Sequence, residues 1–111
     1  MLEIDGGSIY LTRGDSAVLH VTITNAATGE DYALQETDKL ILTVRKQASK
    51  LSPVVLEKVL TGSGDFILAP EDTEKLSIGT YKYDVELRIG TDVYTVIQCS
   101  EFKLLVEVTM P

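Results

Sequence analysis

The stretch TYKYDVELRI, Thr80–Ile89, constrains this chain more than any other. Tyr81, Tyr83, Val85, Leu87 and Ile89 alternate with Lys82, Asp84, Glu86 and Arg88. Successive strand side chains point to opposite faces, so this period of two collects the apolar groups on one side and the charges on the other. Wound as a helix, the same residues would scatter charge around the whole circumference. The segment reads as a strand with one face on a core and one in water, as antiparallel sheets have.

The rhythm recurs along the chain. In VLHVTIT, Leu19, Val21 and Ile23 oppose His20, Thr22 and Thr24. In KLILTVRK, Leu40, Leu42 and Val44 oppose Ile41, Thr43 and Arg45. In EFKLLVEVT, Phe102, Leu104, Val106 and Val108 oppose Lys103, Leu105 and Glu107. Weaker strands are expected at Pro53–Leu60, Asp65–Leu68, Val93–Gln98 and Ile9–Thr12. Turn chemistry separates them: NAATGED (Asn25–Asp31), TGSGD (Thr61–Asp65), and Gly90-Thr91-Asp92, whose spacing suits a short hairpin. The helical candidate is APEDTEKL, Ala69–Leu76, with Glu71 and Asp72 in its first turn and Lys75 near its end, charges that complement a helix dipole.

Length and patterning together set the fold class. The 111 residues suit one domain spanning 1–111, and 44% hydrophobic with 24% charged residues is an ordinary globular balance. The expectation is an all-β, Ig-like antiparallel β-sandwich of seven to eight strands with at most one short helical turn. Gly79, Tyr81 and Tyr83 stand two apart in GTYKY, a spacing that resembles the tyrosine corner opening strand F of such folds. Tyr83 would then hold the place of a disulfide cysteine in antibody domains. The alternative is a plain aromatic opening a buried strand.

Charge and cysteine content exclude several function classes. A formal net charge of −7 works against polyanions, whose binding draws on Lys and Arg. The basic patch Arg45–Lys50, with Lys58 downstream, reads as a solvated strand end and loop, so no nucleic-acid partner is expected. Cys99 is the single cysteine, which rules out an intramolecular disulfide. The first residues, MLEIDGGSIYL, lack the basic and apolar regions of a signal peptide, and no apolar run approaches the ~20 residues that span a bilayer. The simplest placement is the cytosol, with no membrane partner.

Candidate chemistry is sparse. A nucleophile needs a base within reach, and the residues on offer are Cys99 and His20, the lone histidine. Alternation puts His20 with Thr22 and Thr24, away from the core, so catalysis by this pair is not expected and neither is any other catalytic residue. Gly29–Asp38 is rich in oxygens but lacks the spacing of a calcium loop, leaving no expected metal or cofactor. With Trp absent, Tyr10, Tyr32 and Tyr94 are the aromatics left to form a carbohydrate platform. Arg13-Gly14-Asp15 has the form of an integrin-adhesion signal, yet it lies directly before the strand Ala17–Thr24, and Gly14 and Asp15 are turn formers. It reads as a turn.

Four stretches in order, RGDSAVLHVTI, LILTVRK, FILAPEDTEKLSIGTYKYDVEL and VYTVIQCSEFKLLVEVT, resemble small tail proteins of phages and prophages of Gram-positive bacteria. In particular they resemble the Ig-like N-terminal domain of the baseplate upper protein family. Pro70, Asp72, Thr73, Leu76, Gly79, Tyr81, Tyr83 and Asp84 match that family's central block, and Thr95, Phe102, Val108 and Thr109 its ending. Cys99-Ser100-Glu101 stands where that pattern has a glycine. Baseplate upper proteins continue into helical and receptor-carrier regions, whereas this sequence stops at Pro111. The resemblance therefore implies a free-standing, non-enzymatic virion structural protein, assembled in the bacterial host cytoplasm. It would act through protein–protein contacts with other tail or baseplate proteins, and through ring-type self-association as a homo-oligomer. The alternative is a monomeric Ig-like binding module that recognises a host or cell-surface ligand.

Overall fold

The structure is a computed structural model and describes residues 2–5, 7–24, 28–49 and 51–106. Within them run eight strands and one short helix: β1 (Leu2–Asp5), β2 (Ser8–Thr12), β3 (Ala17–His20), β4 (Lys39–Arg45), β5 (Val54–Thr61), β6 (Asp65–Leu68), α1 (Pro70–Thr73), β7 (Gly79–Ile89) and β8 (Asp92–Leu105). They form a six-stranded sheet, in the order β1-β2-β8-β7-β4-β5, and a two-stranded sheet of β3 and β6.

This order is an Ig-like arrangement. In Ig lettering the large sheet carries strands G, F, C and C′ as β8, β7, β4 and β5, and the small sheet keeps B and E as β3 and β6. Of the strands that usually flank B and E, A joins the large sheet instead as β1 and β2, and D has no counterpart among the described residues between β5 and β6. One ladder departs from the expected antiparallel sandwich, since β2 runs parallel to β8, pairing Ile9 with Phe102 and Leu11 with Leu104.

Alternation places the core as expected. Leu40, Leu42 and Val44 of β4 lie opposite Leu87, Val85 and Tyr83 of β7, and all six are buried. Leu19, Phe66 and Leu68 close the core from the small sheet, and Ile9, Leu11, Phe102 and Leu104 fill its far side. The Tyr83 and Phe102 rings meet edge to face, with centroids 6.4 Å apart.

Further expectations need correction. Val93–Gln98 and the strand beginning at Glu101 are one strand, β8. Between Tyr83↔Ser100 and Val85↔Ile97, Asp84 opposes two residues, Gln98 and Cys99, and Val96 is a second extra residue before Glu86↔Thr95. Each β-bulge shifts the phase by one, so Phe102 and Ile97 both turn inward although their spacing is odd. Val106, expected inward, is 66% exposed, because the ladder to β2 ends at Leu105. The helix stops at Thr73, before Lys75, and the cation near it comes instead from Lys58 of β5, 2.9 Å from Asp72. Val108, Thr109 and Glu107, together with Asn25–Ala27 and Lys50, lie outside the described residues.

The strand expected to reach Thr24 ends its ladder at His20. The Val21 N–H still donates to the Gly64 carbonyl at 2.8 Å. A Cβ on Gly64 would come within 2.7 Å of the Val21 oxygen, so no other residue closes that turn without moving the backbone.

Candidate interaction surface

Residues of the central block of the resemblance meet at one corner, where they brace the fold. The Tyr81 hydroxyl donates to the Ser77 carbonyl at 2.7 Å, which is the tyrosine corner. The buried Thr73 hydroxyl accepts the Gly14 N–H at 2.8 Å, and the Arg13 guanidinium donates to the Leu76 carbonyl at 3.1 Å. Pro70 opens the helix, and the Asp72 carboxylate accepts the Ala69 N–H at 2.8 Å. Burial raises the Asp72 pKa, but the Lys58 ammonium and the Ala69 N–H outweigh it and hold the carboxyl below its ordinary value. The Tyr83 hydroxyl donates to the Gly7 carbonyl, in the turn joining β1 to β2, and burial raises that phenol's pKa.

This arrangement also places Arg13-Gly14-Asp15. The Arg13 N–H donates to the Leu105 carbonyl and the Asp15 N–H to the Thr12 carbonyl, while Gly14 has a φ of 82°. A left-handed φ favours glycine, and the tripeptide is a turn packed against the loop after α1 rather than the tip of a projecting loop.

Cys99 and His20 lie in different sheets. His20 pairs across the small sheet with Asp65, and Cys99 sits at the bulge of β8, exposed beside a shallow hollow lined by Arg45, Lys82 and Asp84. Among the described residues, no group of three or more His, Cys, Asp or Glu side chains is arranged to hold a metal. The oxygens of Gly29–Asp38 do not converge: Asp38 is 2% exposed and turns inward, accepting the Tyr32 hydroxyl and the Gln35 N–H. That hydrogen bond raises the Tyr32 pKa. Lys103 covers the ring of Tyr10, its ammonium 5.2 Å from the centroid, and Tyr94 is exposed. The basic residues also separate, Arg45 donating to the Ser52 carbonyl at 2.6 Å while Lys58 pairs with Asp72. Sequence reasoning missed Asp38, whose partners Tyr32 and Gln35 are close in the chain but follow no alternation, and the Lys58–Asp72 pair, which only the fold brings together.

Among the exposed apolar residues, which also include Val59 of β5 and Val93 of β8, two features stand out. On the small sheet Val18 and Ile67 are direct cross-strand partners, 57% and 67% exposed. The hydrogen bond from Val21 to Gly64 sets the phase of this ladder, so Val18 and His20 on β3, and Asp65 and Ile67 on β6, turn their backbone groups outward. No described strand pairs either outer edge. The second feature is Leu51, in the loop joining β4 to β5, which is 96% exposed.

No protein-family model and no curated protein matches the chain. A solved structure from a photo-crosslinking study of multimeric cell-adhesive interactions of VGSC beta subunits resembles it with a TM-score of 0.40 and 14% sequence identity, over 98% of this chain and all of that one. A likeness of that degree carries no argument about function. The class of protein, a small all-β sandwich of Ig-like type, is defined by the strand order and the tyrosine corner.

Proposed function

We propose that this protein is a non-enzymatic assembly module, a structural component of a phage or prophage tail or baseplate that works through protein–protein contacts. The observation that carries the assembly reading is the small sheet, which turns the apolar pair Val18 and Ile67 to solvent between two unpaired edges. Apolar surface and free strand edges are what a neighbouring chain covers. The phage setting is supported by the resemblance in the Pro70–Asp84 block, and under that reading the protein belongs to the virion. Residues with chemical potential fit a non-catalytic role: His20 is paired with Asp65 in one sheet, and Cys99 is exposed in the other.

The decisive experiment identifies the genes flanking this one and co-expresses their products with it. Tail, tape-measure or holin genes next door, and co-purification with a tail protein, are the expected results. A setting with no virion genes and no co-purifying tail protein overturns the phage reading. A protein that binds whole host cells as a strict monomer would favour the cell-surface binding module.

A further inference from the structure

The two ends of the sandwich differ in charge and in relief. β4 runs from Lys39 to Arg45, and its partners β5 and β7 end and begin accordingly. The loop joining β4 to β5 therefore lies at one end, and the turns after β3, β5 and β7 at the other. The first end carries the projecting Leu51. Lys46 and Leu51 line the same surface depression, and the sequence between Lys46 and Pro53 contains no Asp or Glu. The opposite end is acidic, with Glu30, Asp31 and Glu36 all exposed.

A half-open pocket of about 280 Å³ opens at the acidic end, where the small sheet stops short of the large one. Its lining is mixed: Val21, Ile23, Leu34 and Tyr32 supply apolar surface, and His20, Thr22 and Asp31 supply polar surface. Its volume sits at the lower edge of the roughly 300–1,000 Å³ of pockets for drug-sized ligands, with room for a protruding side chain.

We infer that copies of this chain associate head to tail, the Leu51 loop of one entering the acidic-end pocket of the next. This rests on the assembly reading above and names a second copy as the partner. Both requirements of such a contact are on one molecule, at opposite ends: an apolar knob beside Lys46, and a partly apolar hole with the Asp31 carboxylate on its wall. A knob and a hole on different faces of the same chain make a heterologous contact, which closes into a ring or continues as a filament. The Lys46 and Asp31 charges set the polarity of docking, since two like ends repel.

Sedimentation velocity over a concentration series tests this with the whole chain and two surface variants. Leu51→Asp removes the knob, and Thr22→Arg, at an exposed residue on the pocket, blocks the hole. Each variant is expected to keep its melting temperature and to weaken self-association by about tenfold or more, a loss of about 1.4 kcal/mol. Each retains one intact end, so an equal mixture of the two should form dimers and stop there. A wild type that stays monomeric overturns the head-to-tail contact while leaving assembly with other tail proteins standing. Wild-type oligomers that both variants reproduce, or a mixture that stays monomeric, also overturn it, and in the first case self-association itself survives through another surface.

Discussion

The two sheets use the same alternation to different ends. In β7 each inward position from Tyr81 to Leu87 is buried, and the facing positions carry Lys82, Asp84, Glu86 and Arg88 toward solvent. β3 and β6 also bury alternate residues, Leu19 opposite Phe66, yet their outer pair is Val18 and Ile67 rather than charge. The inner half of the pattern is set by the core in both sheets. The outer half differs between β7, which carries charge, and the small sheet, which carries an apolar pair, although the large sheet also exposes Val59 opposite Ile41 on its edge.

The sharpest way to break this comparison is in the large sheet. Val85 is wholly buried between Leu42 of β4 and Ile97 of β8. Val85→Asp leaves a carboxylate unpaired in the core, at a cost of several kcal/mol against a typical total of about 5–15 kcal/mol. The expected outcome is an unfolded chain by circular dichroism, and a cooperative melt near the wild-type temperature would refute the inward assignment.

Next in size are the ties between the corner and the turn before β3. Thr73→Val keeps the shape but strands the Gly14 N–H, and should cost about 1–3 kcal/mol in urea unfolding. Tyr81→Phe removes the single hydrogen bond to Ser77 and should cost about 1 kcal/mol, and an unchanged midpoint would mean that the corner geometry contributes nothing.

How much of this was legible follows from how local each cause is. β7 was readable because its ten-residue alternation needs no partner to be seen. β6 was readable at Asp65–Leu68 because Gly64 and Pro70 frame it. β8 was split in two because its bulges at Gln98–Cys99 and Val96 break the period that a sequence window measures, while pairing with β7 resumes on either side of them. The parallel pairing of β2, and β1 beyond it, depend on which sheet the first strands join, and no pattern within Leu2–Thr12 encodes that. Of the candidate surface, no local pattern marks Leu51 as a projecting residue, and the pocket depends on β3 stopping at His20.

Acid titration tests the tie between α1 and the edge of the large sheet. Asp72 is held below its ordinary pKa by Lys58, a cation on the inward register of edge strand β5 beside Leu42. A depressed folded pKa means the contribution is present above the unfolded value of about 3.9 and is lost as pH falls through the lower folded value. Wild type should therefore lose stability in that acid range more steeply than Lys58→Met. Parallel loss in the two proteins would show that the pair does not couple to folding.

The smallest effect is the most diagnostic for the comparison. Val18→Thr and Ile67→Thr change side chains whose outer faces touch water, and substitution at such sites usually stays within about 0.5 kcal/mol. Thr keeps the β-branching that suits a strand, so the pairing of β3 with β6 should survive. The double variant is therefore expected to melt with wild type in calorimetry. If it melts several degrees lower, the Val18–Ile67 contact is itself holding the small sheet together, and its apolar character needs no partner to explain it. An unchanged melt leaves that character without a role in stability, which is the condition under which a binding face remains its physical reason.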